Sequence, residues 1–128
     1  MAVWGYGVVG AALPAADRDP ADAALLAHRD VRDEVARLLD SRKADQLPAE
    51  AAYALPFPVL SPVDAAALAV TLEDGVAAAW AWVLDQSVER STRASAVVVL
   101  GDAEVRAVAW RAAAGQTPAT TPFPGLPD

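Results

Sequence analysis

The chain has 128 residues, a formal net charge of −7 and no cysteine. This length suits one domain with a core of its own, and a 55% hydrophobic content is too high for a disordered chain. Nucleic acids and anionic membranes attract basic patches, so the acidic balance argues against both as partners. The absence of cysteine excludes disulfides and thiolate metal sites, and it fits a cytoplasmic location.

Residues 2–13 are apolar on all sides, a pattern typical of a buried helix. Residues 1–16 also resemble a signal peptide, because they lack charged side chains and end in Leu-Pro-Ala-Ala. However, no Lys or Arg precedes the apolar stretch and three glycines interrupt it, so we favour a core helix. The glycines predict that a neighbouring backbone approaches this helix closely.

The same glycines, Gly5, Gly7 and Gly10, match the dinucleotide-binding pattern G-x-G-x-x-G. That pattern binds a cofactor only between a strand and a helix of a βαβ unit. Only four residues precede Gly5, and Pro14 follows soon after. We therefore assign the glycines to helix packing and expect no cofactor.

Three more helices follow. The second is predicted over 19–43, with Asp19 as cap, Pro20 in the first turn and basic residues in the last turn. The third is predicted from Ser61, a capping residue before Pro62, to about residue 85, and the fourth from about 91 to 114, before Gly115. Val97-Val98-Val99 favours a strand but lies inside a helical period, so no strand is predicted.

Residues 44–61 form a linker with three prolines, in which one helical turn around 49–53 is compatible with the sequence. A 23-residue helix is about 35 Å long, and the linker reaches about 55 Å when extended, so it can cross the whole bundle. Residues 116–128 form a proline-rich tail. Phe57 in the linker and Phe123 in the tail, each between prolines, are predicted to anchor these segments on the bundle. The short–long–short connections are typical of ferritin-like four-helix bundles with one crossover, here between helices 2 and 3.

The chain also resembles a bacterial family of uncharacterised ferritin-like domains. The motifs that carry the resemblance are Val3-Trp4-Gly5-Tyr6-Gly7-Val8-Val9-Gly10, Ala27-His28-Arg29, Arg32-Asp33, Tyr53-Ala54-Leu55-Pro56-Phe57-Pro58-Val59, Leu72-Glu73-Asp74-Gly75, Val105-Arg106-Ala107, Trp110-Arg111 and Phe123-Pro124-Gly125-Leu126. They span nearly the whole of residues 1–128. The resemblance implies a single all-α ferritin-like domain, with a first helix that begins about two turns further upstream, and it implies no activity.

A di-iron site in such a bundle needs a Glu from each of two helices and a Glu-x-x-His pair from each of the others. His28 is the only histidine, and Leu25 stands three residues before it, so both pairs are missing. We therefore expect no di-iron centre. His28, Glu73 and Glu104 remain weak candidates for a single metal. The favoured interpretation is a buried polar cluster in which His28 or Arg32 pairs with Glu73 or Glu104.

With one histidine and no cysteine, we expect no catalytic residues. Residues 65–84 approach a membrane span in length, but Glu73 and Asp74 interrupt them, so we expect a buried helix and no membrane partner. Trp80 and Trp82 point to different faces, so one is expected at a surface and favours a homodimer. The leading hypothesis is a non-enzymatic structural or interaction domain. The alternatives are a metal-binding or oxidoreductase protein with a reduced site, and a binder of small apolar ligands.

Overall fold

The computed structural model describes residues 1–46, 48, 50 and 53–126, and within them it contains four α-helices and no strand. The helices are α1 (Ala2–Ala12), α2 (Asp19–Ser41), α3 (Pro62–Gln86) and α4 (Arg90–Ala113), with a 3₁₀ turn at Ala15–Asp17. The all-α fold and the four predicted segments are confirmed. The proposed helical turn around 49–53 lies mostly outside the described residues, and the single-domain assignment stays a prediction.

Local capping signals explain where α3 and α4 begin or end. The Ser61 hydroxyl accepts the Asp64 N–H at 3.1 Å, while the Asp64 carboxylate accepts the Ser61 hydroxyl at 2.8 Å and the Leu60 N–H at 3.1 Å. This reciprocal arrangement satisfies the Asp64 N–H, which the first turn leaves free, and the Leu60 N–H just before the helix. Gly115 ends α4 with a φ of 67°, a conformation that glycine adopts without strain.

The bounds of α2 differ slightly from the prediction. Its N-cap is Arg18, whose side chain makes no capping hydrogen bond, so Asp19 lies inside the helix. The helix ends at Ser41, and Arg42 and Lys43 follow it instead of forming its last turn. Lys43 has a φ of 53°, which turns the chain away from the helical path.

The most extensively packed helix is α3, which contacts both α1 and α4, while α1 also contacts α2. Among the described residues, α3 is also the one helix whose length and composition would allow it to cross a membrane, a test that core helices of soluble proteins pass too. Its side chains form much of the core cluster, together with Tyr6 and Val9 of α1 and Trp110 of α4. The interior therefore centres on the middle of α3.

The first helix is about half as long as the second, with 11 residues against 23. The buried residues of α2 are Ala21, Ala24 and His28, which all lie in its first half. The apolar positions that continue the stripe, Val31, Val35 and Leu38, stay partly or largely exposed. Grooves lie beside this part of α2.

The two proline-flanked phenylalanines behave differently. Phe57 is partly buried against the core, as predicted, whereas Phe123 is 72% exposed, so its predicted role as an anchor is wrong. Arg111 holds the tail instead, by donating to the Ala119 carbonyl at 3.1 Å. Gly125 also packs so closely on the Ala77 carbonyl that a Cβ would lie 2.5 Å from its oxygen.

Candidate functional site

One buried carboxylate joins all four helices. Glu73 of α3 is completely buried and accepts the Tyr6 hydroxyl of α1 at 2.5 Å and Nε2 of His28 in α2 at 2.9 Å. Arg106 of α4 donates to both of its oxygens, from Nε at 2.8 Å and from Nη2 at 3.1 Å. We call Tyr6, His28, Glu73 and Arg106 the Glu73 hub. It exists because α3 carries an acidic residue where three other helices converge.

The hydrogen bonds of the hub set its charge states. Burial by itself raises the pKa of Glu73, but the bonds from His28, Arg106 and Tyr6 outweigh burial and lower the pKa. Burial, reinforced by the negative charge of Glu73, strongly raises the pKa of Tyr6, which keeps its hydroxyl protonated as a donor. Because the Glu73 carboxylate only accepts hydrogen bonds, the proton between it and His28 resides on Nε2. In neutral His28, Nδ1 is therefore an acceptor.

The residue that follows Glu73 belongs to a second ionic cluster. Arg111, which is 4% exposed, donates to Asp74 at 2.5 Å and to Glu104 at 3.0 Å. Partial burial raises the pKa of Asp74, and the nearby Glu104 charge adds to that rise while Arg111 opposes it. Two adjacent acidic residues in an apolar helix thus receive separate arginine partners from α4.

The candidates from the sequence are only partly brought together. The pairing of His28 with Glu73 is confirmed, but Glu104 lies in the Arg111 cluster. Of the two basic residues considered, His28 is the one that pairs with Glu73, while Arg32 binds its neighbour Asp33 at the surface. Across the described ranges, no group of three His, Asp or Glu side chains is arranged to hold a metal ion. That no metal binds stays a prediction.

Sequence reasoning missed Tyr6, Arg106 and Arg111 as partners. A signal for the arginines was present, because Glu73-Asp74 interrupts an otherwise apolar helix and buried carboxylates require positive partners. Arg106 and Arg111 both lie in the other long apolar helix. For Tyr6 no such signal existed, since its helix is apolar on every side and offers no preferred direction.

A groove of about 610 Å³ opens beside the hub, between α1, α2, the crossover and α3. We call it the aromatic groove and define it by Trp4, His28, Arg29, Arg32, Tyr53 and Trp80. The rings of Trp4 and Tyr53 pack against each other, with centroids 5.9 Å apart. A second depression of about 410 Å³ shares Val31 and Trp80 with it and continues along α2 towards Arg42.

The comparisons with known proteins agree with this fold. The model of the family described as "Domain of unknown function (DUF4439)" matches residues 1–128. The chain belongs to this family. It is also similar to the crystal structure of a conserved hypothetical protein, rv2844, from Mycobacterium tuberculosis, with 35% identity and a TM-score of 0.83, covering 87% of this chain and 84% of that one. No curated protein matches.

For this DUF4439 domain, the chemistry of the interior follows from the hub. Glu73 accepts four hydrogen bonds from donors on three other helices, three of them at Oε1 and one at Oε2. His28 directs Nε2 at the same carboxylate and is one of the residues that line the aromatic groove. The arrangement therefore crosslinks the bundle and fixes the orientation of the His28 ring.

Proposed function

We propose that this DUF4439 domain is a non-enzymatic interaction domain of the ferritin-like bundle type, which self-associates as a dimer through the outer face of α4. The observation that carries the proposal is an apolar stripe on that face. Its six positions are three or four residues apart, as in the core stripe of a coiled coil. They are Ala94, Val98, Gly101, Val105, Val108 and Ala112.

This outer stripe lies opposite the face that α4 turns to the bundle. Ala96, Ala103 and Ala107 are completely buried, whereas Val98 is 61% and Val105 is 72% exposed. A helix that is apolar on two opposite faces is expected to bury both of them. No charged residue occupies the stripe, although the chain carries a net charge of −7. It is therefore a surface where two copies can meet with little repulsion.

The order of residue sizes along the stripe supports a second copy as the partner. A two-fold axis level with Ala103 brings two α4 helices together in antiparallel orientation. Val105 of one copy then lies opposite Gly101 of the other, and Val98 lies opposite Val108. Each large side chain at the centre meets a glycine, which allows close approach of the helices without steric overlap.

Analytical ultracentrifugation of the wild type and of Val105→Glu tests the proposal. We expect a dimer for the wild type at micromolar concentration, and a monomer for the variant because the interface would bury an unpaired charge. Val88→Glu is the matched control, since Val88 is 98% exposed in the connection before α4 and should leave the dimer intact. A wild type that stays monomeric at about 100 μM, well above the usual range for specific dimers, would contradict the proposal.

The ferritin-like assignment rests on topology. The connections before α2 and between α3 and α4 are short, while the chain from Arg42 to Ser61 joins α2 to α3. This one-crossover order is that of ferritin-like bundles. The Glu73 hub supports the absence of a di-metal centre, because a metal that binds Oε1 would have to displace Tyr6, His28 or Arg106.

Metal loading tests the proposed absence of a metal centre. Purified protein is exposed separately to Fe(II), Mn(II) and Zn(II), desalted and assayed by elemental mass spectrometry. We expect less than about a tenth of an equivalent of metal per protein chain in every case, since His28 and Glu73 are hydrogen-bonded to each other. A stoichiometric metal that is lost in His28→Ala would instead favour the metal-binding alternative.

A further inference from the structure

The tail after α4 presents two large apolar side chains from one tight turn. Phe123 is 72% exposed and Leu126 is 60% exposed. We propose that this turn, residues 123–126, forms a second part of the dimer interface by packing on the same turn of the partner copy, beside the α4 pair. The inference rests on the proposed dimer and adds to it a contact outside α4.

The turn has a defined shape. The Phe123 carbonyl accepts the Leu126 N–H at 3.1 Å, and Gly125 has a φ of 79°. A proline in the second position and a glycine of positive φ in the third are the features of a type II β-turn. Because the first and fourth Cα atoms of a β-turn lie less than about 7 Å apart, Phe123 and Leu126 stand next to each other as one apolar pair.

The turn also has a fixed position on the bundle. A Cβ at Gly125 would lie 2.5 Å from the Ala77 carbonyl oxygen and 2.9 Å from Cβ of Ala81, so the turn rests directly on α3. Arg111 of α4 holds the same tail through the Ala119 carbonyl. The tail therefore lies in the outer angle between α3 and α4. Apolar side chains on an anchored turn lose less conformational freedom on binding than those of a free tail.

The turn lies at the height of the two-fold axis proposed at Ala103. Contacts at both ends show that residues 73–80 of α3 run antiparallel to residues 99–106 of α4. Ala77, on which the turn rests, is near the middle of the first range, and Ala103 is near the middle of the second. The turn is thus close to the point where the two copies meet.

The symmetry of the dimer brings the two tails to one side. The two-fold axis of an antiparallel helix pair is perpendicular to the plane of the helices, so equivalent flanks of both helices face the same way. Val97 lies on the tail flank, about four turns before Arg111, and is 57% exposed. It joins the tail flank to its neighbour Val98 in the outer stripe. Residues 115–126 carry no charged side chain, so the two tails meet without repulsion.

Cross-linking tests this arrangement, because the chain has no cysteine and one introduced thiol is unique. A short bismaleimide reagent should convert most of Phe123→Cys into a covalent dimer at micromolar concentration. Val88→Cys is the matched control. Val88 is 98% exposed, but its two copies lie about 45 Å apart at opposite ends of the α4 pair, so it should stay uncross-linked. Adding Val105→Glu to Phe123→Cys should abolish the covalent dimer, since it separates the α4 helices.

Sedimentation separates a failure of the tail contact from a failure of the dimer. Phe123→Ala should raise the dissociation constant of the dimer about tenfold, because each dimer loses two aromatic side chains, whereas Val88→Ala should leave it unchanged. A dimeric wild type with no cross-link in Phe123→Cys, or with the same dissociation constant in Phe123→Ala, overturns the tail contact and leaves the α4 interface standing. A monomeric wild type overturns both.

Discussion

At the scale of single residues, Glu73 dominates the interior. A completely buried carboxylate persists only when donors replace the water that it loses, and here three side chains provide them. Such a group contributes less to stability than its number of bonds suggests, because desolvation opposes the attraction. Its loss is costly nevertheless, since the remaining partners are left buried without an acceptor.

We therefore expect Glu73→Gln to lower the free energy of unfolding by about 3 kcal/mol, because Arg106 loses its counter-charge inside the bundle. Urea denaturation followed by circular dichroism measures the change. Glu34→Gln is the control, as this exposed residue on α2 should change stability by less than about 0.5 kcal/mol. A loss below about 1 kcal/mol in Glu73→Gln would mean that the hub contributes little.

The lowered pKa of Glu73 also predicts a pH dependence. The ionised carboxylate stabilises the fold fully above its usual pKa of 4.5, and this stabilisation disappears as the pH falls through the lower pKa of the folded state. Urea midpoints from pH 7 to pH 3 should therefore fall more steeply in the wild type than in Glu73→Gln. Asp64 and Glu89 also have lowered pKa values. The wild type and Glu73→Gln should therefore share the part of the pH dependence that these two residues cause. Parallel curves would contradict this assignment.

At the scale of elements, α1 shows that the three glycines have unequal roles. A Cβ at Gly5 would lie 2.6 Å from Cδ1 of the buried Leu72, whereas a Cβ at Gly7 would meet nothing within 4 Å. The sequence predicted close packing at all three positions, but only Gly5 requires it. The close neighbour is a side chain of α3 instead of a backbone.

These two positions allow a matched comparison on one helix. Gly5→Ala should destabilise the protein by about 1–3 kcal/mol, because Leu72 has little room to move in the core. Gly7→Ala should stabilise it by up to about 1 kcal/mol, since alanine favours the helix and the site is open. Thermal unfolding of both variants measures the difference. A destabilised Gly7→Ala would contradict the open site at Gly7, and an unaffected Gly5→Ala would contradict the close contact of Gly5 with Leu72.

The bounds of the elements were largely predictable, because their signals are local. Ser61 with Pro62 and Gly115 act through their own backbone neighbours, and the structure places the end of a helix at each. The capping role of Asp19 was wrong, because Asp19 and Pro20 are both compatible with positions one residue further into the helix. Phe123 was misjudged for another reason, since only the path of the tail decides whether an apolar side chain reaches the core.

At the scale of the whole molecule, the proposed dimer should affect the melting temperature as well as the mass of the particle in solution. A partner that binds only the folded chain raises the melting temperature as protein concentration rises. We expect the wild-type melting temperature to increase between micromolar and hundred-micromolar protein, while that of Val105→Glu stays constant. Differential scanning calorimetry at several concentrations provides the measurement. A melting temperature of the wild type that does not change would argue against dimerisation.

Periodicity, capping and residue inventory act over short distances, so they were enough to predict the class of fold, the four helices and the lack of a complete Glu-x-x-His ligand set. It also marked His28 and Glu73 as candidates for a shared polar cluster. The packing of the helices, however, was needed to show that Tyr6 and Arg106 complete the hub, that Glu104 binds Arg111, and that a groove lies beside His28. These outcomes depend on how helices distant in sequence are placed and rotated against each other, which no local pattern specifies.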